Sequence, residues 1–185
     1  MNKFILFAES WWVNLLIAIP FVFYFSWRKK GIEISRRTLA YVALFGVAFG
    51  FVEASVVVYL RSAAGLSFDI YQQAQALTDL PKNLFMVEVF REIATIVMLF
   101  SVAFLAEKSL RARLAIFLWI FAVWDIFYYV GLYFTVGWPQ SLLATDVLFL
   151  IPAPWFSQVW FPLLVSVLTI IAVIFSKTSD KNFSC

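Results

Sequence analysis

The sequence predicts an all-α integral membrane protein: a bundle of five transmembrane helices, N-terminus outside and C-terminus cytoplasmic. Three observations carry that prediction. Of 185 residues, 64% are hydrophobic and 14% charged, and the mean hydropathy is +0.92. A soluble domain of this length cannot hide so much apolar surface. Five apolar stretches approach the ~20 residues needed to cross about 30 Å of hydrocarbon. Basic residues collect in the connections between them, which is a topology signal rather than a phosphate-binding stripe. The net charge of +3 therefore gives no reason to expect nucleic acid as a partner; membrane lipids are the expected one.

The first span lies near 5–27, with Trp11 and Trp12 at the outer interface and Trp27 at the inner one. Its length, Glu9, and the lack of a small-x-small site before the basic loop argue against a cleavable signal peptide. The second, near 38–60, carries Gly46, Gly50 and Glu53 on one face; GVAFG is a G-x-x-x-G pattern that lets another helix approach closely just below Glu53. Residues 62–83 include FDIYQQAQALTDLPKN, which fits a short interfacial helix ending before Pro81. The third, fourth and fifth spans fall near 84–106, 114–136 and 158–176. Between the last two lies WPQSLLATDVLFLIPAP. Pro139 is placed to open a helix and Pro152 to close it, so a short re-entrant or interfacial helix is expected at about 139–151. Neither a repeat nor a linker divides the chain, and 1–185 reads as one domain.

Orientation follows from charge. Arg28, Lys29, Lys30, Arg36 and Arg37 follow the first span, Lys108, Arg111 and Arg113 the third, and Lys177 and Lys181 the fifth. Lys3, Arg61 and Lys82 fall on the opposite side, which the positive-inside rule places outside.

The embedded charges converge at one depth. With that orientation, Glu53, Glu88, Arg91, Glu92, Asp125 and Asp146 all occupy the outer half. Glu88, Arg91, Glu92 and Thr95 follow i, i+3, i+4, i+7 and share one helical face. Tyr128 and Tyr129 stand three and four residues after Asp125, where a phenol can donate to its carboxylate. Asp146, flanked by Leu142, Leu143, Phe149 and Leu150, is expected to face protein. With Arg91 as the one cation of the cluster, most of these carboxyls must be protonated, joined by a cation or open to water, because an unpaired buried charge costs several kcal/mol. The plainer interpretation is that Arg91 clamps Glu53 and Asp125 to brace the bundle, Glu88 is wet at the interface, and the tyrosines are belt aromatics.

The chain has no histidine and a single cysteine, Cys185. That excludes histidine-ligated haem or zinc and any disulfide framework. No cofactor is expected; if a divalent cation binds, the candidate oxygen ligands are Glu53, Glu92, Asp125 and Asp146. Three functions fit. The leading one binds or conducts a small ligand from outside: a proton, a divalent cation, or a polar headgroup gripped by Arg91. The second is a structural or accessory subunit of a larger membrane complex; a homo-oligomer or other membrane subunits are the protein partners that would fit. The third is a membrane enzyme for a lipid-like substrate, with paired carboxylates as acid and base.

The strings FGFVEASVVVYLR, VEVFREIATIVML, VWDIFYYVGL and GWPQSLLATDVLFLIPAPW resemble a family of bacterial multi-pass membrane proteins to which no activity is assigned. The resemblance covers most of 45–165 and contains all the residues chosen above on electrostatic grounds. It implies a bacterial inner-membrane location and supplies no mechanism.

Overall fold

The computed structural model describes residues 11–29, 31–65 and 81–176. Five helices account for most of them. A 3-10 segment, Trp11–Ile17, runs into α1 (Ala18–Trp27). It is followed by α2 (Arg36–Ala63), α3 (Lys82–Ala106), α4 (Leu110–Val136) and α5 (Trp160–Ser176). The boundaries have local causes. Ser35 caps α2 by accepting from the Thr38 amide at 2.9 Å, and Ser109 caps α4 by accepting from the Ala112 amide at 3.2 Å. Pro81 precedes α3, and Gly137 ends α4 at φ 70°, a left-handed conformation that glycine adopts without strain.

Among the described residues, three helices, α2, α3 and α4, are long and apolar enough to cross a membrane. The first and last apolar helices, Trp11–Trp27 and Trp160–Ser176, are shorter. The last has 17 residues, about 26 Å of helix, slightly less than a hydrocarbon core. The expected interfacial helix within 62–83 falls mostly on 66–80, outside the described residues, as do Glu9, Lys177, Lys181 and Cys185.

The central helix is α4, with α2, α3 and α5 packed on it and α1 packed on α5. Close approach of α2 and α4 rests on the glycines. A Cβ added at Gly50 would lie 2.7 Å from the Trp124 carbonyl oxygen and 2.9 Å from the Tyr128 amide. One at Gly131 would lie 2.8 Å from Ala54 Cβ. Backbone therefore meets backbone one turn below Glu53, as the G-x-x-x-G pattern predicts. Helix α3 is polar inward and apolar outward. Glu88, Glu92, Thr95, Leu99 and Ala103 form its buried stripe, while Phe90, Val97 and Leu105 are exposed. Such a helix suits a lipid surround, where the outer face is bathed in hydrocarbon.

The segment between α4 and α5 corrects the expectation of a helix at 139–151. It is an antiparallel hairpin, β1 (Thr145–Val147) against β2 (Phe156–Gln158), with Asp146 opposite Ser157. Further backbone bonds extend it: Leu148 N–H to the Trp155 carbonyl at 2.8 Å, Val159 N–H to that of Ala144 at 3.0 Å, and Trp160 N–H to that of Leu142 at 2.9 Å. β-Branched Thr145 and Val147 suit a strand. Pro152 and Pro154 fall in the loop, where a missing N–H costs no ladder bond. Pro139 precedes the hairpin and Pro152 lies in its loop, so the two prolines do not bound one helix. β1 buries its middle residue, Asp146, and β2 buries Ser157.

Candidate functional site

The charged residues meet at the end of the bundle where α2 and α4 finish and α3 and α5 begin. Arg91 of α3 is the hub. Its Nη1 donates to Glu53 Oε2 on α2, its Nη2 to Glu88 Oε2 at 2.7 Å, and its Nε to both Glu88 oxygens at 3.3 and 3.2 Å. Thr95, one turn further along α3, donates its hydroxyl to Glu53 Oε1 at 2.8 Å. Each Glu53 oxygen thus has a donor, and the carboxylate is 3% exposed. This pairing ties α3 to α2 through charge-assisted bonds rather than through broad packing.

Three further carboxyls are held by neutral donors. Both oxygens of Glu92 accept from the Leu150 amide, at 3.0 and 2.8 Å, which fixes the hairpin loop to α3. Asp125 Oδ2 accepts from the Ser166 hydroxyl of α5 at 2.8 Å. Asp146 Oδ2 accepts from the Tyr129 phenol at 3.0 Å. The tyrosine donor at i+4 from Asp125 therefore serves the hairpin acid instead, and Ser166 serves Asp125. Tyr128 packs edge-on against Tyr129, with centroids 5.2 Å apart. Burial pushes the Asp146 carboxyl above the usual carboxylate range, while the Arg61 guanidinium and the Tyr129 phenol pull it down.

These groups line one cavity of about 580 Å³. Glu88, Arg91, Glu92, Asp125, Tyr128, Tyr129 and Asp146 are on its wall, and Glu53 stands behind Arg91. The rest of the wall is apolar. Leu16 and Ile19 approach from the first helix, and Ile93, Ile96 and Val97 from α3. Ile19 is 39% exposed, Ile93 45% and Val97 56%, so this margin of the cavity faces outward. An aromatic group, Phe121, Trp124, Phe149 and Trp155, closes another side.

The bracing interpretation had Arg91 joining Glu53 and Asp125; it joins Glu53 and Glu88 instead. Nor is Arg91 the one cation of the cluster, because Arg61 of α2 is on the same wall. Its place eight residues after Glu53, two helical turns along one face, is the sequence signal that reveals it. Ser166 and Thr169 also line the cavity and are buried. They are legible as hydroxyls three apart in an otherwise apolar helix. The Leu150 amide has no side-chain signature. For the suggested metal ligands Glu53, Glu92, Asp125 and Asp146, each carboxyl already has a protein donor. Among the described residues, no three of His, Cys, Asp and Glu gather as a metal-holding group.

No family model matches the chain, and no curated protein or solved structure matches it either. The family resemblance, and the bacterial origin that it implies, therefore draw no support from known proteins. The three long apolar helices agree with the membrane class.

Proposed function

We propose that the protein spans a bacterial inner membrane five times and binds an amphiphile in the cavity, its polar head on the charged wall and its tail leaving between α1 and α3. The supporting observation is the gradient within one space of about 580 Å³, from Leu16, Ile19, Ile93 and Val97 at the margin to Arg91, Asp125 and Asp146 within. Ligand sites of this size are mostly apolar with a few convergent polar groups. Lateral entry fits because Ile19, Ile93 and Val97 of the margin are exposed, and in a bilayer they would face acyl chains. The positive-inside rule supports a cytoplasmic location for the end of the bundle opposite the site, and with that orientation the cavity would serve the outer leaflet. Of the small ligands that suit the charges, the polar headgroup is favoured over a divalent cation, since no three-ligand group is present among the described residues.

Native mass spectrometry of the full chain released from detergent tests this. Wild type is expected to retain an adduct of lipid mass, and Ile96→Trp, which fills the apolar part of the cavity, is expected to lose it. No adduct on wild type, or equal adducts on both, would contradict the proposal.

A further inference from the structure

Independently of the cavity, we propose that the turn between α3 and α4, at the opposite end of the bundle, binds an anionic membrane phospholipid. Arg113 grips its phosphate, with Lys108 and Arg111 beside it, and an acyl chain lies along Phe104 and Leu105. The first observation is a guanidinium held in place with its fork unused. Arg113 Nε donates to the Glu107 carbonyl at 2.8 Å, and the guanidinium carbon stands 4.4 Å from the centroid of the Phe104 ring. Both Nη groups are left without a hydrogen-bond partner among the described residues. The turn beneath is fixed as well: Ser109 accepts from the Ala112 amide through its hydroxyl at 3.2 Å and from the Arg113 amide through its carbonyl at 2.9 Å. A planar fork already held by a carbonyl and a ring loses little freedom when it takes two oxygens of a phosphate. Arg28 also lies over rings, 5.8 Å from Tyr24 and 5.1 Å from Phe25, but among the described residues no hydrogen bond fixes its side chain.

The second observation is positive charge without a partner. Lys108 and Arg111 are exposed, and among the described residues their side chains make no hydrogen bond or ion pair. With Arg113 they place three cations within 108–113, beside one acid, Glu107, which leaves +2 (three minus one). Arg111 and Arg113 also stand at the start of α4, where the helix dipole is itself positive and the first turn holds no acid. An anion from outside the chain relieves that repulsion. The third observation is the apolar surface under the cations. Phe104 is 47% exposed and Leu105 88%, at the end of a helix apolar enough to cross a membrane. In a bilayer both would face acyl chains, so the guanidinium over Phe104 would stand where a headgroup joins its tails. A soluble anion engages only the cations, whereas a phospholipid engages the cations and the rings below them. Clustered bases beside a membrane span attract anionic lipids in particular.

The test purifies the full chain in detergent from an equimolar mixture of phosphatidylglycerol and phosphatidylethanolamine and counts the retained lipids by mass spectrometry. Wild type is expected to retain phosphatidylglycerol about tenfold over phosphatidylethanolamine, since each base near the surface adds to anion binding. The triple variant Lys108→Gln, Arg111→Gln and Arg113→Gln is expected to lose that preference while size-exclusion elution stays unchanged. Arg113→Lys keeps the charge but not the fork, and is expected to lose most of the preference. Should the triple variant fail to elute as wild type, Arg113→Lys decides. Ile96→Trp, which fills the cavity, is expected to leave the preference intact. Equal retention of the two lipids by wild type, or an unchanged preference in the triple variant, overturns the proposal. An unchanged preference in Arg113→Lys attributes binding to general surface charge and overturns the assignment to the held fork. Loss of the preference in Ile96→Trp places the lipid in the cavity instead. Displacement of phosphatidylglycerol by inorganic phosphate during purification shows that a free anion takes the site and overturns the lipid as its occupant.

Discussion

Arg91 holds Glu53 and Glu88 at once, and Thr95 completes the shell of Glu53. Removing the guanidinium strands a carboxylate that is 3% exposed. Losing one partner of a buried pair is expected to cost about 3 kcal/mol, whereas removing both Arg91 and Glu53 leaves only Glu88 without its guanidinium and a smaller penalty. Arg91→Gln should therefore lower stability more than the double variant Arg91→Gln with Glu53→Gln, measured by denaturation in mixed micelles. Additive losses in the double variant would mean that the two side chains are not coupled. The i, i+3, i+4, i+7 stripe made this cluster legible from sequence, because helix geometry alone puts those four side chains on one face. What the stripe leaves open is which acid on another helix the arginine reaches. That depends on where helices cross, and here the crossing gives Glu53 rather than Asp125.

The α2–α4 crossing is set by glycines whose missing side chains admit the opposing backbone. At Gly50 the obstruction is main chain, 2.7 Å away, while at Gly46 the nearest atom is the Val123 side chain at 3.0 Å. A main-chain atom cannot turn aside as a side chain can. Gly50→Ala is expected to destabilise by about 1–3 kcal/mol through overpacking, and Gly46→Ala by less. Thermal unfolding of both variants in one detergent checks the order, and a reversed order would show that the helices separate easily at Gly50. The four long hydrophobic runs at 38–60, 84–106, 114–136 and 158–176 correspond closely to α2 to α5, since apolar length fixes a helix. Residues 139–151 carry no comparable signal. Their apolar side chains fit either a helix or a strand, and the choice falls to a partner, Phe156–Gln158, that begins only after the prolines.

The molecule joins these pieces into a space that no single helix defines. The acids on α3 and α4, the Asp146 of the hairpin and the Ser166 of α5 surround it, while α1 and α3 leave its aliphatic margin exposed. That the charges share one depth could be read from span order and the positive-inside rule. That they surround a cavity could not, because a gap is the residue of how helices tilt and how the hairpin folds inward. The folding-in is visible in two bonds, Tyr129 to Asp146 and the Leu150 amide to Glu92. A brace without a ligand and a ligand site share most of these contacts, and they part on what fills the space. Density for the full chain in lipid nanodiscs separates them. The amphiphile account predicts an elongated feature with its head among Glu92, Asp125 and Asp146 and its tail passing between Ile19 and Ile93. A cavity holding only water, or closed by α1 meeting α3, would contradict it.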